Sequence, residues 1–140
     1  MKKRGKVCVI GLGYIGLPTA TMFAVNGFEV VGVDVQEKVV KIINNGGIHI
    51  EEPGLAEMVK GAIIDNKLRA SKRSEKADIY IIAVPTPLTE DKCADLNFVK
   101  EAAENILPYL EKDNLVIVES TIQPRTTDDI VAPILEKSEL

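Results

Sequence analysis

The chain has 140 residues, 46% hydrophobic and 27% charged, with 17 basic against 21 acidic side chains and a formal net charge of −4. That size and apolar content describe one globular domain, residues 1–140, large enough to bury a real core, and they exclude a disordered chain. The acidic balance, with three Tyr, three Phe and no Trp, leaves no electrostatic footprint for nucleic acid, so none is expected as a partner.

No apolar run approaches the ~20 residues that span a bilayer, and no secretory signal precedes the first strand, so the expected compartment is the cytoplasm, without a membrane partner. Cys8 lies inside an apolar run and Cys93 in a polar loop. Neither spacing nor context suggests a disulfide framework or a metal site, and no metal is expected. Cys8 reads as a small core residue. The basic start, Lys2, Lys3, Arg4 and Lys6, reads as a solvated lead-in rather than an anion-binding tail.

The stretch 6–34, KVCVIGLGYIGLPTATMFAVNGFEVVGVD, organises the rest. An apolar strand at 7–10 breaks into Gly11, Gly13 and Gly16, a helix follows, and a second apolar strand ends on Asp34. The three glycines serve different ends, in that Gly11 permits a tight turn, Gly13 lets backbone approach a pyrophosphate, and Gly16 lets the helix pack closely on the strand. The helix aims its free N–H groups and positive dipole end at that phosphate. Asp34, about 20 residues on, ends the neighbouring parallel strand, where a carboxylate accepts hydrogen bonds from both ribose hydroxyls. The same carboxylate repels a 2′-phosphate, so the cofactor expected is NAD and not NADP. Lys38 is the one feature that softens this, unless it lies on the exposed face of the next helix.

Residues 36–45 place Val39, Val40, Ile42 and Ile43 at helical spacing and stop at Asn44, Asn45, Gly46 and Gly47. The segment GIHIEEPGL leads into another helix over 55–65, and its His49, lacking a carboxylate and nucleophile arrangement, reads as a loop residue rather than a catalytic base. A short strand at 68–70 and a polar turn at 71–76 precede 78–84, DIYIIAV, whose near-continuous apolar run marks a parallel strand covered on both faces. It ends on Pro85, Thr86 and Pro87, a stiff turn that the strand direction places across from the glycine turn. Thr86 there offers a hydroxyl and an N–H to the cofactor; the alternative is a turn with no ligand contact.

The loop 88–94 carries Cys93 among Glu90, Asp91 and Asp95, which disfavour a thiolate, so this cysteine is rejected as a nucleophile. A helix is expected over 95–110, capped by Asp95, with Phe98, Val99, Ala102, Ile106 and Leu110 as an apolar stripe that carries packing and no chemistry. The fifth strand, 115–119, runs into Glu119, Ser120 and Thr121, and Thr121 is a second hydroxyl candidate for the nicotinamide half. A last helix over 127–137 is expected to kink at Pro133. The sum is an α/β fold: a Rossmann-type doubly wound parallel sheet of about five to six strands, order 3-2-1-4-5, with helices on both faces. Five strands are legible where six are usual, as if the chain stopped early.

These motifs together resemble the N-terminal NAD-binding domain of the UDP-glucose/GDP-mannose dehydrogenase family. IGLGYIGLPTA at 10–20, GVD at 32–34, IHIEEPGL at 48–55, LRAS at 68–71, AVPTP at 83–87 and EST at 119–121 all fall in family order. IHI and LRAS favour its N-acetylmannosamine branch over its UDP-glucose branch. The resemblance implies a four-electron oxidation of a UDP-sugar C6 alcohol, that of UDP-N-acetyl-D-mannosamine, to the uronic acid, with two NAD and a thiohemiacetal on a cysteine. It places Gly11, Gly13, Tyr14 and Ile15 along the pyrophosphate, Asp34 on the adenosine ribose, and Thr86 and Thr121 near the cofactor, with Gly16 and Pro85 in the same cofactor-binding set. It also gives Thr121 a part in holding a catalytic water. The family's nucleophilic cysteine, its partner lysine and the sugar-nucleotide pocket lie beyond the matching region. The chain therefore reads as the cofactor half of a larger enzyme, a homo-oligomer when full-length, and inactive alone.

Two departures stand out. Family members often place a basic residue five positions after the ribose-binding acid, where this chain has Val39, with Lys38 one residue early and kept as a cofactor-binding candidate. After EST the family pattern is Pro, any residue, Gly, whereas here Gln123, Pro124 and Arg125 follow; Arg adopts positive φ less cheaply than Gly, or its guanidinium meets an anion instead. A stand-alone NAD module without catalysis remains the second reading. A methyltransferase-like domain is the third and weakest, because a glycine turn opening directly into a helix suits a pyrophosphate better than an adenosyl ligand without one.

Overall fold

The computed structural model describes residues 4–140. Five parallel strands, β1 Lys6–Ile10, β2 Glu29–Val33, β3 Leu68–Ser71, β4 Ile79–Ile82 and β5 Leu115–Val118, form one sheet in the order β3-β2-β1-β4-β5. The helices are α1 Gly16–Val25, α2 Glu37–Asn44, α3 Leu55–Ile64, α4 Asn97–Ile106 and α5 Ala132–Leu135. Strand side chains alternate between faces, so the register divides the core in two. Val7, Val9 and Ile81 pack with Leu17, Ala20, Ile43 and Val59 of α1, α2 and α3 on one face. Cys8, Ile10, Tyr80 and Ile82 pack with Val99, Ala103 and Ile134 of α4 and α5 on the other. The doubly wound sheet expected from the sequence is the one observed.

Winding reverses between β1 and β4, and there the chain returns from β3 to β4 through residues 72–78 without a helix. This link is shorter than the dozen or more residues usual for a parallel crossover. It buries Ser74 beside Cys8, and Cys8, fully buried, has its thiol pushed up to about 11 by loss of solvent. Cys93 is exposed. Titration of the native chain with a thiol-reactive dye should therefore label Cys93 alone, with Cys8 reacting only after denaturant is added. Two equivalents in the native state would contradict the packing of β1.

Several boundaries differ from the expectation for identifiable reasons. Lys2 and Lys3 lie outside the described residues, but Lys6 belongs to β1 and is not a solvated lead-in: its ammonium pairs with Glu75 at 2.6 Å and Glu29 at 3.7 Å. The Arg4 guanidinium lies 5.7 Å from the centroid of Phe28, a cation–π distance. Asp95 accepts a bond from the N–H of Asn97 at 2.9 Å, two residues ahead, so α4 starts later than expected; it gives way at Leu107–Tyr109 to a 3-10 turn containing Pro108. The last helical stretch winds as a π turn at Thr127–Val131, an α turn at Ala132–Leu135 and a 3-10 turn at Glu136–Ser138. Pro133 has no N–H to give the carbonyl four residues back, and the winding loosens just ahead of it.

In β5, Val116 and Val118 pack under α4 and α5, but Leu115 and Ile117, on the α1 face, are 53% and 38% exposed. An all-parallel sheet is normally covered on both faces. Among the described residues, no helix is long and apolar enough to cross a membrane.

Candidate functional site

The carboxyl ends of the strands border a crevice of about 690 Å³, within the ~300–1,000 Å³ that small-molecule and cofactor clefts occupy. Its near wall is the glycine turn. Gly11 has φ +98°, and a Cβ there would lie 2.5 Å from the Ala83 carbonyl oxygen. A Cβ on Gly16 would lie 1.7 Å from the carbonyl oxygen of Gly11 itself. Both positions are closed to any side chain. Gly13 is the opposite case, with no atom within 4 Å of where its Cβ would be, and it lines the crevice with Leu12, Tyr14 and Ile15. Helix α1 opens there with neither a side-chain cap nor an acidic residue in its first turn. Its N-terminal N–H groups and dipole are thus offered to an anion from the crevice.

Asp34 follows β2 and is half-buried. One carboxylate oxygen accepts the N–H of Leu12 at 3.1 Å, the other the N–H of Gln36 at 2.9 Å. The first bond ties the glycine turn to the end of β2, so the turn and the Asp34 carboxylate are held at a fixed spacing. A carboxylate has about four lone-pair sites, and two remain for hydroxyl donors.

Across the switch point the ends of β4 and β5 form the far wall, with Pro85, Thr86, Ser120 and Thr121 all lining the crevice. The Thr86 hydroxyl donates to the Thr121 carbonyl at 2.7 Å, and the Ser120 hydroxyl to the Val84 carbonyl at 2.8 Å. The two strand ends are laced together, which spends the Thr86 proton and leaves that oxygen's lone pairs to accept. Thr19 on α1 donates to Glu119 at 2.9 Å and closes the near wall against the far one.

Of the residues singled out from the sequence, Gly11, Gly13, Tyr14, Ile15, Asp34, Pro85, Thr86 and Thr121 meet in this crevice. Gly16 is buried behind it and acts on packing. Lys38 is exposed on α2 and is not part of the lining, whereas Val39, buried, is. His49 is exposed at the crevice wall, and Cys93 is not part of it.

The sequence reading missed Lys72, Arg73 and Ser74 after β3, and Phe98, Glu101 and Asn105 on α4. Phe98 is 42% exposed and faces the crevice, which corrects its place in the packing stripe and the view of α4 as packing alone. The spacing of Phe98, Glu101 and Asn105 by three and four residues was a legible signal, since it sets them on one helical face. Arg125 does take φ +71°, as the glycine in the family pattern would, and the anion its guanidinium meets is Asp129, at 3.0 Å. No part of that pair lines the crevice.

Comparison with known proteins agrees with this geometry. The family model described as UDP-glucose/GDP-mannose dehydrogenase family, NAD binding domain, matches residues 5–140. A UDP-N-acetyl-D-mannosamine dehydrogenase of Methanococcus maripaludis is 52% identical over 146 residues, 98% of this chain and 34% of that protein. The UDP-N-acetyl-mannosamine dehydrogenase Cap5O from Staphylococcus aureus superposes with a TM-score of 0.93 at 47% identity, over 96% of this chain and 33% of that one. A UDP-glucose dehydrogenase from Pyrobaculum islandicum superposes with a TM-score of 0.90 at 34% identity, over 98% of this chain and 34% of that one. The chain spans about a third of the length of the curated relatives it matches. Its glycine turn, strand order and matched length together establish that the chain belongs to the NAD-binding domain of the UDP-glucose/GDP-mannose dehydrogenase family.

Proposed function

We propose that residues 1–140 are the cofactor-binding domain of a longer, cytoplasmic, homo-oligomeric nucleotide-sugar 6-dehydrogenase, which oxidises the C6 alcohol of UDP-N-acetyl-D-mannosamine to the uronic acid. The observation that carries the cofactor part is the uncapped start of α1 over Gly13, with Asp34 tied to the same turn. Higher identity to the N-acetylmannosamine enzymes than to the UDP-glucose enzyme supports the choice of sugar. The bare Leu115 and Ile117 face of β5 supports the larger protein, since further structure would cover it there.

NAD, when bound, supplies the hydride acceptor for both oxidation steps. The chain's own residues bind and orient it. Gly11, Gly13, Tyr14, Ile15 and the α1 N-terminus hold the pyrophosphate, with Gly16 keeping helix and turn in contact. Asp34 accepts from the ribose hydroxyls, while Pro85, Thr86 and Thr121 fix the far half, and Thr121 stands where a water would be held. Lys38, exposed on α2, has no part in this arrangement. Neither cysteine supplies the nucleophile, because burial keeps Cys8 protonated and Cys93 lies outside the crevice. That group comes from elsewhere in the enzyme.

Calorimetric titration of the 140-residue chain with NAD and with S-adenosylmethionine tests the reading: NAD should bind and S-adenosylmethionine should not. The same chain mixed with NAD and UDP-N-acetyl-D-mannosamine should produce no NADH; turnover would place the catalytic groups within these residues. Asp34→Ala should weaken NAD about 10- to 100-fold, since hydrogen bonds to a charged group contribute ~1.5–3 kcal/mol and ~1.4 kcal/mol is tenfold. Unchanged affinity would remove Asp34 from the ribose site.

A further inference from the structure

The strand order carries an inference beyond NAD binding, resting on the cofactor reading above. With β3-β2-β1 in sequence across the sheet, the phosphate site lies at the end of β1 and the ribose site at the end of β2. The next position outward is the end of β3, and the chain turns there through Lys72 and Arg73. This neighbour is close: the N–H of Asp34 donates to the Ser71 carbonyl at 3.1 Å, and the Ser71 hydroxyl accepts the N–H of Arg73 at 3.1 Å, fixing the turn. Lys72 and Arg73 both line the crevice.

Their charges are not spent elsewhere. On the same segment Arg69 pairs with Glu75 and Lys76 with Glu111, but among the described residues Lys72 and Arg73 enter no ion pair. Asp34, the group that opposes a 2′-phosphate, is drawn toward the glycine turn by Leu12 and toward Gln36. Two exposed cations and one carboxylate therefore line the same crevice, at the ends of neighbouring strands. A guanidinium and an ammonium are the side chains that bind phosphate, the first as a fork and the second as a point charge.

We propose that Lys72 and Arg73 form a 2′-phosphate subsite, so that the crevice takes NADP as a second cofactor, more weakly than NAD. Lys38, the basic residue weighed from the sequence, is exposed on α2 outside the crevice lining, whereas the two cations that follow β3 belong to it.

The test is calorimetric titration of the chain and of a Lys72→Ala/Arg73→Ala variant with NAD, NADP, 5′-ADP and 2′,5′-ADP at low and moderate salt. The parent chain should bind NADP within about thirtyfold of NAD. The double variant should raise the ratio of NADP to NAD dissociation constants by about tenfold or more, with NAD itself changed less than about threefold. The same shift should separate 2′,5′-ADP from 5′-ADP and shrink as salt screens the cations. Both substitutions fall on exposed turn residues, and circular dichroism verifies folding. A parent chain that binds NAD but not NADP, or a ratio unmoved by the substitutions, overturns the subsite. If neither NAD nor 5′-ADP binds, the cofactor reading itself fails, and the subsite with it.

Discussion

Gly13→Val should bind NAD at least about 100-fold more weakly than the parent chain while its melting temperature stays within about 3 °C. The two halves of this expectation come from one observation. A Cβ at residue 13 meets nothing within 4 Å, and the residue's φ is not positive, so the fold has neither a clash nor backbone strain to resist a side chain. The space that makes the substitution harmless to folding is the crevice itself. A phosphate oxygen must come within about 2.9 Å of backbone N–H groups there, and valine methyl groups in that path hold it away. The helix N-terminus then faces the anion across a longer gap. Calorimetry with thermal melting measures both halves; a variant that retains affinity within about threefold would move the pyrophosphate elsewhere.

The parts of this site that were legible in the sequence are those fixed by local chain chemistry. Gly11, Gly13 and Gly16 between two apolar runs dictate a strand, a turn and a close-packed helix, and Asp34 ends the second run where β2 ends. The parts that were not legible depend on what the sheet brings alongside. Lys72 and Arg73 sit in a polar turn that is indistinguishable from any other until β3 is laid beside β2, and only then do they line the same crevice as Asp34. Phe98 belongs by periodicity with Val99 and Ala102, yet it stays 42% exposed at the crevice while those two are buried.

Lys38 and Val39 show the same limit from the other side. A helix rotated by one residue would have brought the ammonium inward, but apolar Val39 takes the buried position and turns Lys38 to solvent. Lys6 was misread because charge alone marks a residue as exposed, whereas Glu29 and Glu75, from two other segments, let its ammonium stay partly buried in β1. In the last helical stretch, Pro133 signalled a distortion correctly, but the form it takes, a π turn followed by an α turn, depends on packing Val131 and Ile134 under the sheet.

Gly16→Ala should be strongly destabilising, lowering stability by about 3–5 kcal/mol and the melting temperature by roughly 10–15 °C. The added methyl would lie 1.7 Å from the Gly11 carbonyl oxygen and 3.3 Å from the Ala83 Cβ. The first contact is with backbone, so no rotamer change relieves it; helix and turn must separate. Gly11 cannot retreat, since its own Cβ position already meets the Ala83 carbonyl at 2.5 Å and its N–H donates to the Val33 carbonyl at 2.8 Å. Moving α1 outward instead exposes Leu17, Ala20 and Ala24, buried against β1 and β2. Typical domains hold only ~5–15 kcal/mol of net stability, so this loss is a large share of the whole. Denaturant unfolding of the parent and the alanine variant measures it. A midpoint unchanged by the substitution would mean that the helix does not pack on the turn as closely as described, and the fixed spacing between the glycine turn and Asp34 would lose its physical basis.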